Sequence, residues 1–240
     1  YYVVSQSGQL SQVFVAQLVT AGLDGVIKDA QLFELLAKAA YEQGLSKFTW
    51  EQTAVVIRND VGVRKLEGLT VEEPKILKAI AGVDLKDIEI ILNAADSEET
   101  LTMSCDLHQG QKTGFFLDKT HNIELVLKLF NKWADQEPKR KIRVLDLCCY
   151  VGHWSTQITR ALKQKGFEVE VTQVDVSKEA LRFAQKNAQR AGAQVVSCEM
   201  DVSTGLKDLA AAHYDIVIAD PPAFIKSKKD IPVRKHAYLK

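Results

Sequence analysis

The sequence has few cysteines and no long apolar run. It contains four cysteines in 240 residues, two of them adjacent at Cys148 and Cys149, and no CxxC pair. This set provides neither a disulfide framework nor a zinc-ligand spacing, so it indicates reduced thiols in a cytoplasmic protein. No apolar stretch reaches the roughly 18–20 residues that a membrane helix needs, and no signal-peptide pattern opens the sequence. We therefore expect neither a metal nor a membrane partner.

An excess of either charge is also missing. Lysine plus arginine and aspartate plus glutamate number 31 each, which gives a formal net charge of +0. The overall charge thus provides no argument for a nucleic-acid partner, and any basic surface must be local. One local basic group lies near the end of the sequence: Lys226, Lys228, Lys229, Arg234, Lys235 and Lys240. The 46% hydrophobic and 26% charged residues are typical of a folded protein rather than of a disordered one.

The first part of the sequence predicts a small α+β domain over residues 1–108. Its expected order is strand, helix, strand, strand, strand, at 12–19, 25–43, 52–58, 87–92 and 100–106. The last two strands are expected to form a hairpin with an acidic turn at Asp96 and Ser97. A charged group in this domain is predicted to be a solvated loop, as charge runs usually are: Arg58, Asp60, Arg64, Lys65 and Glu67.

The segment QKTGFFLD, residues 111–118, stands out between the two halves of the chain. Donor side chains precede Gly114, bulky ones follow it, and Asp118 is placed to cap a helix that ends near Trp133. Taken alone, the segment fits equally well a linker that packs its aromatics on a neighbouring domain and a part of a binding site. We place the domain boundary before it, so that the second domain covers residues 109–240.

The chain is organised around KIRVLDLCCYVGH, residues 141–153. This stretch predicts a buried strand at 142–147, a turn that contains Gly152, and an amphipathic helix at about 154–165. A carboxylate, Asp146, stands at the end of the strand. In open α/β sheets, ligands bind beyond the carboxyl ends of the strands. The strand, turn and helix therefore indicate a cradle for an adenosyl cofactor.

Alternating strands and helices after residue 141 predict a Rossmann-like parallel sheet. The further strands are expected at 169–174, 194–199 and 214–219, and Ser177 is expected to cap a helix at 178–191.

An acidic residue follows each of these strands. Asp175 is placed to accept the hydroxyls of a ribose, and Asp201 is placed to accept an adenine amino group. Asp220 precedes Pro221 and Pro222, which make a rigid, extended turn because each proline fixes its own φ and restricts the residue before it.

The cofactor predicted for this sheet is S-adenosylmethionine rather than a dinucleotide. The turn 146–152 lacks GxGxxG, so it does not provide the close backbone approach that a pyrophosphate requires. An acid at the start of the turn suits an ammonium-bearing amino acid better than a diphosphate.

These residues resemble those of the class I large-subunit ribosomal RNA cytosine-C5 methyltransferases, which carry a PUA domain, a small central α+β domain and a Rossmann-like methyltransferase domain. The resemblance covers nearly the whole chain and lies in residues 111–118, in the loop from Asp146 to Gly152, in the acids after the strands and in Asp220-Pro221-Pro222-Ala223-Phe224. It implies these cofactor-binding residues: Lys112, Thr113, Gly114, Phe116, Asp118, Asp146, Cys148, Tyr150, Gly152, Asp175, Val176, Asp201, Val202 and Asp220. It also implies that Asp220 is a catalytic residue at the N3 and N4 edge of the base. The implied substrate-binding residues are Pro221, Pro222, Phe224 and Lys228.

The chain departs from the family pattern in several places. Lys119-Thr120 stand where the family usually has Gln-Arg, and His153 stands where it usually has a second glycine. The first residue is not a methionine, and the last residues read as a loop before a helix. We therefore expect the 240 residues to lack the PUA domain and the C-terminal strands, one of which carries the nucleophilic cysteine in this family.

The chemistry makes that cysteine important. Cytosine C5 becomes nucleophilic only when a thiolate adds at C6. Cys148 and Cys149 lie in the cofactor loop, and we expect them to be packing residues instead. The 240 residues alone are therefore expected to transfer no methyl group.

Three functions remain open from the sequence. The first is methylation of cytosine C5 in large-subunit ribosomal RNA. The second is S-adenosylmethionine-dependent methylation of a guanine or adenine nitrogen in RNA, and the third is a non-catalytic RNA-binding module that retains the cofactor pocket. RNA is the expected partner in all three, with the local basic group on its phosphates. The strand 214–219 would leave an open sheet edge, from which we expect self-association, such as a homodimer, or partial folding.

Overall fold

The computed structural model describes residues 1–94, 98–209 and 213–222. Packing divides the chain into an N-terminal unit, residues 1–94 and 98–119, and a C-terminal unit of the described residues from Thr120 onward. Residues 109–119 are grouped with the N-terminal unit because side chains of that unit bond to them. That the second functional domain begins at residue 109 stays a prediction. The turn at Asp96 and Ser97, Phe224, Lys228 and the local basic group lie outside the described residues.

The N-terminal unit is built on a six-stranded sheet in the order β4-β3-β2-β1-β5-β6. The strands are β1 Tyr2–Gln6, β2 Gln9–Ala16, β3 Thr53–Ile57, β4 Lys75–Lys78, β5 Ile88–Asn93 and β6 Thr100–Cys105. Strands β2 and β3 are parallel, and the other neighbours are antiparallel, including the expected hairpin of β5 and β6. Two helices, α1 Ala21–Val26 and α2 Gln31–Glu42, connect the parallel pair. Leu18, Phe33, Val55 and Ile57 form the core between sheet and helices.

Three expectations for this unit are wrong. Strands β1 and β4 were not predicted, and the single helix expected at 25–43 is two helices. Strand β1 is short and is joined to β2 by Ser7 and Gly8, both with positive φ, which is typical of a two-residue hairpin turn. Strand β4 lies at the sheet edge without a fully buried residue, so its sequence shows no alternation. The helix is interrupted where the Asp29 carboxylate accepts a hydrogen bond of 2.9 Å from the N–H of Gln31, which starts a new helix.

The charged group that was predicted to be a solvated loop contains two buried arginines. Arg58 and Arg64 are 2% and 0% exposed. The guanidinium of Arg64 donates to the carbonyl oxygens of Thr70, at 2.7 Å, and of Leu18, and it pairs with the Asp24 carboxylate at 2.9 Å. Most of these partners lie far away in the sequence, so the local charge pattern could not reveal them. The prediction of a solvated loop is therefore wrong for both arginines.

The C-terminal unit contains the expected Rossmann-like sheet of four parallel strands, in the order β10-β7-β8-β9. The strands are β7 Lys141–Leu147, β8 Glu168–Asp175, β9 Gln194–Glu199 and β10 Ile216–Ala219. The helices are α3 Thr120–Ala134, α4 His153–Gln164, α5 Lys178–Arg190 and α6 Val202–Gly205. Ser177 caps α5 as expected, since its hydroxyl accepts from the N–H of Ala180. Strand β10 begins two residues later than predicted.

The core of this unit lies between the sheet and its helices. Buried residues of β7 and β8 pack against α3 and α4: Ile123, Leu127, Ile142, Val144, Ile158, Val169 and Val171. The buried residues of β7 and β8 are mostly apolar, and both strands also carry charged residues such as Arg143 and Glu170. The parallel arrangement brings the carboxyl ends of all four strands to one edge of the sheet.

Candidate functional site

Acidic residues lie at the carboxyl edge of the parallel sheet, where the sequence predicted them. Asp146 is the next-to-last residue of β7, Asp175 is the last residue of β8, and Asp220 follows β10 directly. The register pairs Asp146 with Ile218 of β10 and with Gln173 of β8. The structure therefore brings these three carboxylates to the edge at which open α/β sheets bind their ligands.

The loop between β7 and α4 is tightly wound. Cys148, Tyr150 and Gly152 have φ values of 57°, 50° and 72°. The N–H of Gly152 donates to the carbonyl oxygen of Cys149 at 2.8 Å. A Cβ atom on Gly152 would lie 2.8 Å from Nε2 of Gln173 and 3.1 Å from Cα of Ala184. Glycine is therefore required here both by the backbone conformation and by the close approach of the loop to β8 and α5.

Asp146 combines burial with an unused acceptor. Its side chain is 1% exposed, and its Oδ2 accepts a hydrogen bond of 3.2 Å from the N–H of Ser155. Its Oδ1 has no hydrogen-bond partner among the described residues. Burial raises the pKa of Asp146 to about 7; the hydrogen bonds from Ser155 oppose this rise, and the charges of Asp220 and Asp175 add to it. A cation at this position would restore the ionised form.

Gln173 of β8 supports the start of α4 beside Asp146, and it was not predicted from the sequence. Its Nε2 donates to the hydroxyl of Ser155 at 3.1 Å and to the carbonyl oxygen of Ala184 at 3.0 Å. It thereby connects β8 with the first turn of α4 and with α5. The side chain is 0% exposed, but β8 also carries Glu168, Glu170 and Thr172, so nothing in the sequence of the strand distinguishes Gln173.

Asp175 fixes the cofactor loop to the end of β8. Its Oδ2 accepts from the N–H of Tyr150 and its Oδ1 accepts from the N–H of Ser177, both at 2.9 Å. Each carboxylate oxygen has two lone pairs, so these bonds leave acceptor capacity for the hydroxyls of a ribose. The neighbouring Val176 is exposed and offers an apolar surface beside that carboxylate.

Asp201 lies just beyond β9 and caps a short helix. Its Oδ1 accepts from the N–H and the hydroxyl of Ser203, at 2.8 and 2.7 Å. These hydrogen bonds lower the pKa of Asp201, so the group is ionised at neutral pH. Val202 begins α6 beside it and packs with Leu145, Leu147 and Val174. Contact of Asp201 with an adenine amino group stays a prediction.

Asp220 has a partner that the sequence did not reveal. The indole Nε1 of Trp154, in the first turn of α4, donates to its Oδ2 at 3.1 Å. Pro221 and Pro222 follow as exposed residues. Nothing in the local sequence connects Trp154 with a residue 66 positions away, because helix packing brings the two together.

The two cysteines of the loop are protonated thiols at neutral pH. Burial raises the pKa of Cys148 to about 11, and the charges of Asp175 and Asp146 add to this effect. Burial raises the pKa of Cys149 further still. His153 follows the same loop, and burial lowers its pKa to about 4, so its imidazole is neutral. Because a thiolate is the nucleophilic form of cysteine, the loop provides no activated nucleophile.

The predicted cofactor residues of segment 111–118 lie in the N-terminal unit, where they bond to one another and to that unit. Lys112 pairs with Asp118 at 3.0 Å, and its Nζ lies 4.3 Å from the ring centre of Phe116. The hydroxyls of Thr113 and Tyr2 share a hydrogen bond of 2.9 Å. Gly114 has a φ of 93°, and a Cβ atom there would lie 2.4 Å from the carbonyl oxygen of Asp106. Asp118 does not cap α3 as predicted, because it lies in the 3₁₀ turn Leu117–Lys119 and pairs with Lys112.

The residues of the C-terminal unit fit S-adenosylmethionine. Asp146 has a buried carboxylate oxygen that could accept from the ammonium group of the methionine part. Asp175 could accept from hydroxyls at the end of the next strand. No metal is needed to explain this set of donors and acceptors.

The family comparison decides the nature of this unit. Residues 123–236 match the family model described as the methyltransferase small domain. The C-terminal unit is a methyltransferase domain. The match agrees with the prediction of S-adenosylmethionine, which would supply an electrophilic methyl group on a sulfonium.

Curated relatives extend the similarity over most of the chain. The chain is 30% identical over 227 residues to "Ribosomal RNA large subunit methyltransferase I" of Pseudoalteromonas atlantica. The alignment covers 92% of this chain and 48% of that relative. A protein of the same name from Photobacterium profundum is 30% identical over 222 residues, covering 90% and 47%. A relative from Methanocaldococcus jannaschii, whose name also contains the words ribosomal RNA large subunit methyltransferase, is 34% identical over 171 residues, covering 69% and 38%. The chain spans less than half the length of each of these relatives.

None of the helices formed by the described residues combines the length and the apolar character that a membrane crossing requires.

Proposed function

We propose that the protein is a cytoplasmic RNA methyltransferase that acts on large-subunit ribosomal RNA, with cytosine C5 as its target. One observation carries the proposal: strand-end carboxylates surround the loop 148–152 in a methyltransferase domain, and Oδ1 of Asp146 lacks a partner among the described residues. The names of relatives that match over about nine-tenths of the chain support ribosomal RNA as the substrate class.

The residues of the site take distinct roles in this proposal. Asp146 binds the ammonium group of the cofactor, Asp175 binds the ribose hydroxyls, and Asp201 binds the adenine amino group. Cys148, Tyr150, Gly152, Val176 and Val202 line the adenosine side. The segment with Lys112, Thr113, Gly114, Phe116 and Asp118 contributes to the same cofactor from a domain that functionally begins at residue 109.

On the substrate side, Asp220 holds the edge of the target base. A carboxylate beside N3 and N4 of cytosine can accept from the amino group and stabilise the ring when a thiolate has added at C6. Pro221, Pro222, Phe224 and Lys228 contact the RNA, and the local basic group contacts its phosphates. Such contacts release counterions, so RNA binding should weaken steeply with salt.

A second candidate is methylation of a guanine or adenine nitrogen in RNA. Burial raises the pKa of the Cys148 thiol and of the Cys149 thiol, so neither is the thiolate that C5 chemistry needs. A ring or exocyclic nitrogen carries its own lone pair and requires no covalent activation. Asp220 would then accept the proton that the nitrogen releases.

The two candidates differ in the nucleoside that they produce. Unmodified large-subunit ribosomal RNA is incubated with the protein and isotope-labelled S-adenosylmethionine, and the RNA is digested to nucleosides for mass spectrometry. Label in 5-methylcytidine supports the proposal, and label in an N-methylated purine supports the second candidate. Cofactor binding by the full-length protein without any transfer would contradict both and favour a non-catalytic RNA-binding module.

A further inference from the structure

Three side chains from distant parts of the N-terminal unit converge on the segment 110–113. Nη2 of Arg58 donates to the carbonyl oxygen of Gly110. Nε2 of Gln17 donates to the carbonyl oxygen of Lys112 at 3.3 Å, and the hydroxyl of Tyr2 bonds to that of Thr113 at 2.9 Å. The bonding partners are separated by 52, 95 and 111 positions in the sequence. Three attachments, from β1 and from the residues that directly follow β2 and β3, hold one short loop.

Arg58 is buried and is held in place by an ion pair. The side chain is 2% exposed, and its Nε and Nη2 form a bidentate ion pair with the Asp60 carboxylate at 3.0 and 2.8 Å. Burial alone would raise the pKa of Asp60, but the hydrogen bonds and the charge of Arg58 outweigh it and lower the pKa. Asp60 is therefore ionised and orients the planar guanidinium toward Gly110. Removing an arginine from water costs free energy, and a paired carboxylate offsets part of that cost. The ion pair with Asp60 therefore stabilises the buried Arg58 side chain in this orientation.

The loop itself is folded in a conformation that few sequences adopt. Lys112 has a φ of 53°, and Gly114 has a φ of 93° with the backbone of Asp106 and Leu107 against its Cα. The Asp106 carboxylate accepts from the N–H groups of His108 and Gln109, both at 2.7 Å. A strained loop of this kind persists only when its surroundings fix it.

We propose that Tyr2, Gln17 and Arg58 are positioning residues that hold segment 110–113 in its cofactor-binding conformation. The inference rests on the proposed role of this segment in binding S-adenosylmethionine. A loop that is ordered before binding does not lose backbone freedom on binding, so its anchors contribute to affinity without touching the ligand.

A double-mutant cycle between Tyr2 and Thr113 tests the inference. Tyr2→Phe keeps the ring and removes one hydroxyl, and it should lower the calorimetric affinity for S-adenosylmethionine roughly fivefold. In a Thr113→Val background the same change should have no further effect, because the hydrogen bond is already absent. Arg58→Lys keeps the charge but loses the planar fork, so it should also lower the affinity. Tyr41→Phe, at an exposed tyrosine of α2, is the matched control and should change nothing.

Amide hydrogen exchange of residues 109–114 without cofactor provides the second readout. Faster exchange in Tyr2→Phe and in Arg58→Lys, together with the non-additive affinities, supports the inference. Unchanged exchange, or an equal loss of affinity in both Thr113 backgrounds, overturns it. If the wild-type protein bound no S-adenosylmethionine, the proposed function would be contradicted instead, and the exchange rates alone would still decide whether these residues anchor the loop.

Discussion

The indole N–H of Trp154 donates to Oδ2 of Asp220 over 3.1 Å. This bond joins the first turn of α4 to the residue that follows β10, and so it crosses the carboxyl edge of the sheet. Asp220 lies near enough to Asp146 for its charge to raise the pKa of that buried acid. The same helix thus donates hydrogen bonds to two carboxylates: the N–H of Ser155 donates to Asp146, and the indole N–H of Trp154 donates to Asp220. The first turn of α4 sets the positions of both acids.

Replacing Trp154 by phenylalanine should slow methyl transfer more than it weakens cofactor binding. The variant keeps an aromatic ring but loses the donor that orients Asp220. We expect kcat to fall about tenfold, the usual effect of removing a hydrogen bond to a charged group, with the affinity for S-adenosylmethionine nearly unchanged. Steady-state kinetics and calorimetry of the full-length protein measure the two quantities. Trp133→Phe, which alters a ring stacked on Phe167 in the core, is the control and should affect the melting temperature instead; an unchanged kcat in Trp154→Phe would contradict the positioning role.

Cofactor affinity should depend on pH through Asp146. Burial raises the pKa of this group to about 7, so in the free protein it holds a proton below pH 7 and is ionised above it. The ammonium group of the cofactor favours the ionised form. Affinity should therefore be highest above pH 7 and fall below it, by at most about tenfold per pH unit.

Calorimetry over a pH series measures this dependence, and Asp146→Asn should flatten it. The stability of the free protein should depend on pH in the opposite direction to the cofactor affinity. Because the folded pKa lies above the unfolded value of about 3.9, the free protein loses stability from this group as the pH rises from about 4 to 7 and loses no more above that. A wild-type affinity that stays constant across the series would refute the assignment of Asp146.

Gly152→Ala should destabilise the domain and abolish tight cofactor binding. The new Cβ would lie 2.8 Å from Nε2 of Gln173, and the left-handed backbone adds a cost of about 1–2 kcal/mol for any L side chain. Gly166→Ala is a matched control, because Gly166 has a φ of 85° but nothing within 4 Å of its Cβ position. Urea unfolding should show a clearly larger loss for Gly152→Ala, and only that variant should lose affinity. Equal losses in both variants would mean that the close approach to β8 has no role.

The sheet edge at β10 should mediate self-association. Among the described residues β10 pairs only with β7, and Val217 on it is 58% exposed. A groove of about 230 Å³ beside this edge is lined by Val126, Phe130, Trp154 and residues 216–220. An open apolar strand is a template for pairing with a second copy. Light scattering should show concentration-dependent dimers that Val217→Lys reduces; a monomer at all concentrations would disprove this.

The C-terminal unit, in which strands and helices alternate, was predictable because its physical signals are local. The central strands contain apolar residues that become buried, α5 carries its own cap at Ser177, and the helices are amphipathic, so residues 141–199 fold as their sequence indicates. Strand β4 was missed because an exposed edge strand needs no apolar alternation. The division between α1 and α2 depends on a single side-chain bond from Asp29.

The rest of the site could not be predicted because its partners are distant in sequence. The pairs Arg64 with Asp24, Trp154 with Asp220 and Tyr2 with Thr113 exist only after packing. Charge patterns and periodicity contain no information on such pairs. The sequence did place the acids Asp146, Asp175 and Asp220 correctly, since strand ends of one parallel sheet must share an edge.

Calorimetric titration of S-adenosylmethionine into the wild-type protein and into Asp175→Ala tests the central claim most directly. Asp175 stands at the end of β8, and losing its bonds to the ribose and to the N–H of Tyr150 should cost about 1.5–3 kcal/mol, at least tenfold in affinity. Asp215→Ala is the control, because that acid lies at the opposite end of β10 and bonds to the N–H of Arg143. We expect binding by the wild type, unchanged binding by Asp215→Ala and at least tenfold weaker binding by Asp175→Ala. Equal affinity in all three proteins, or no binding by the wild type, would contradict a cofactor site at these strand ends.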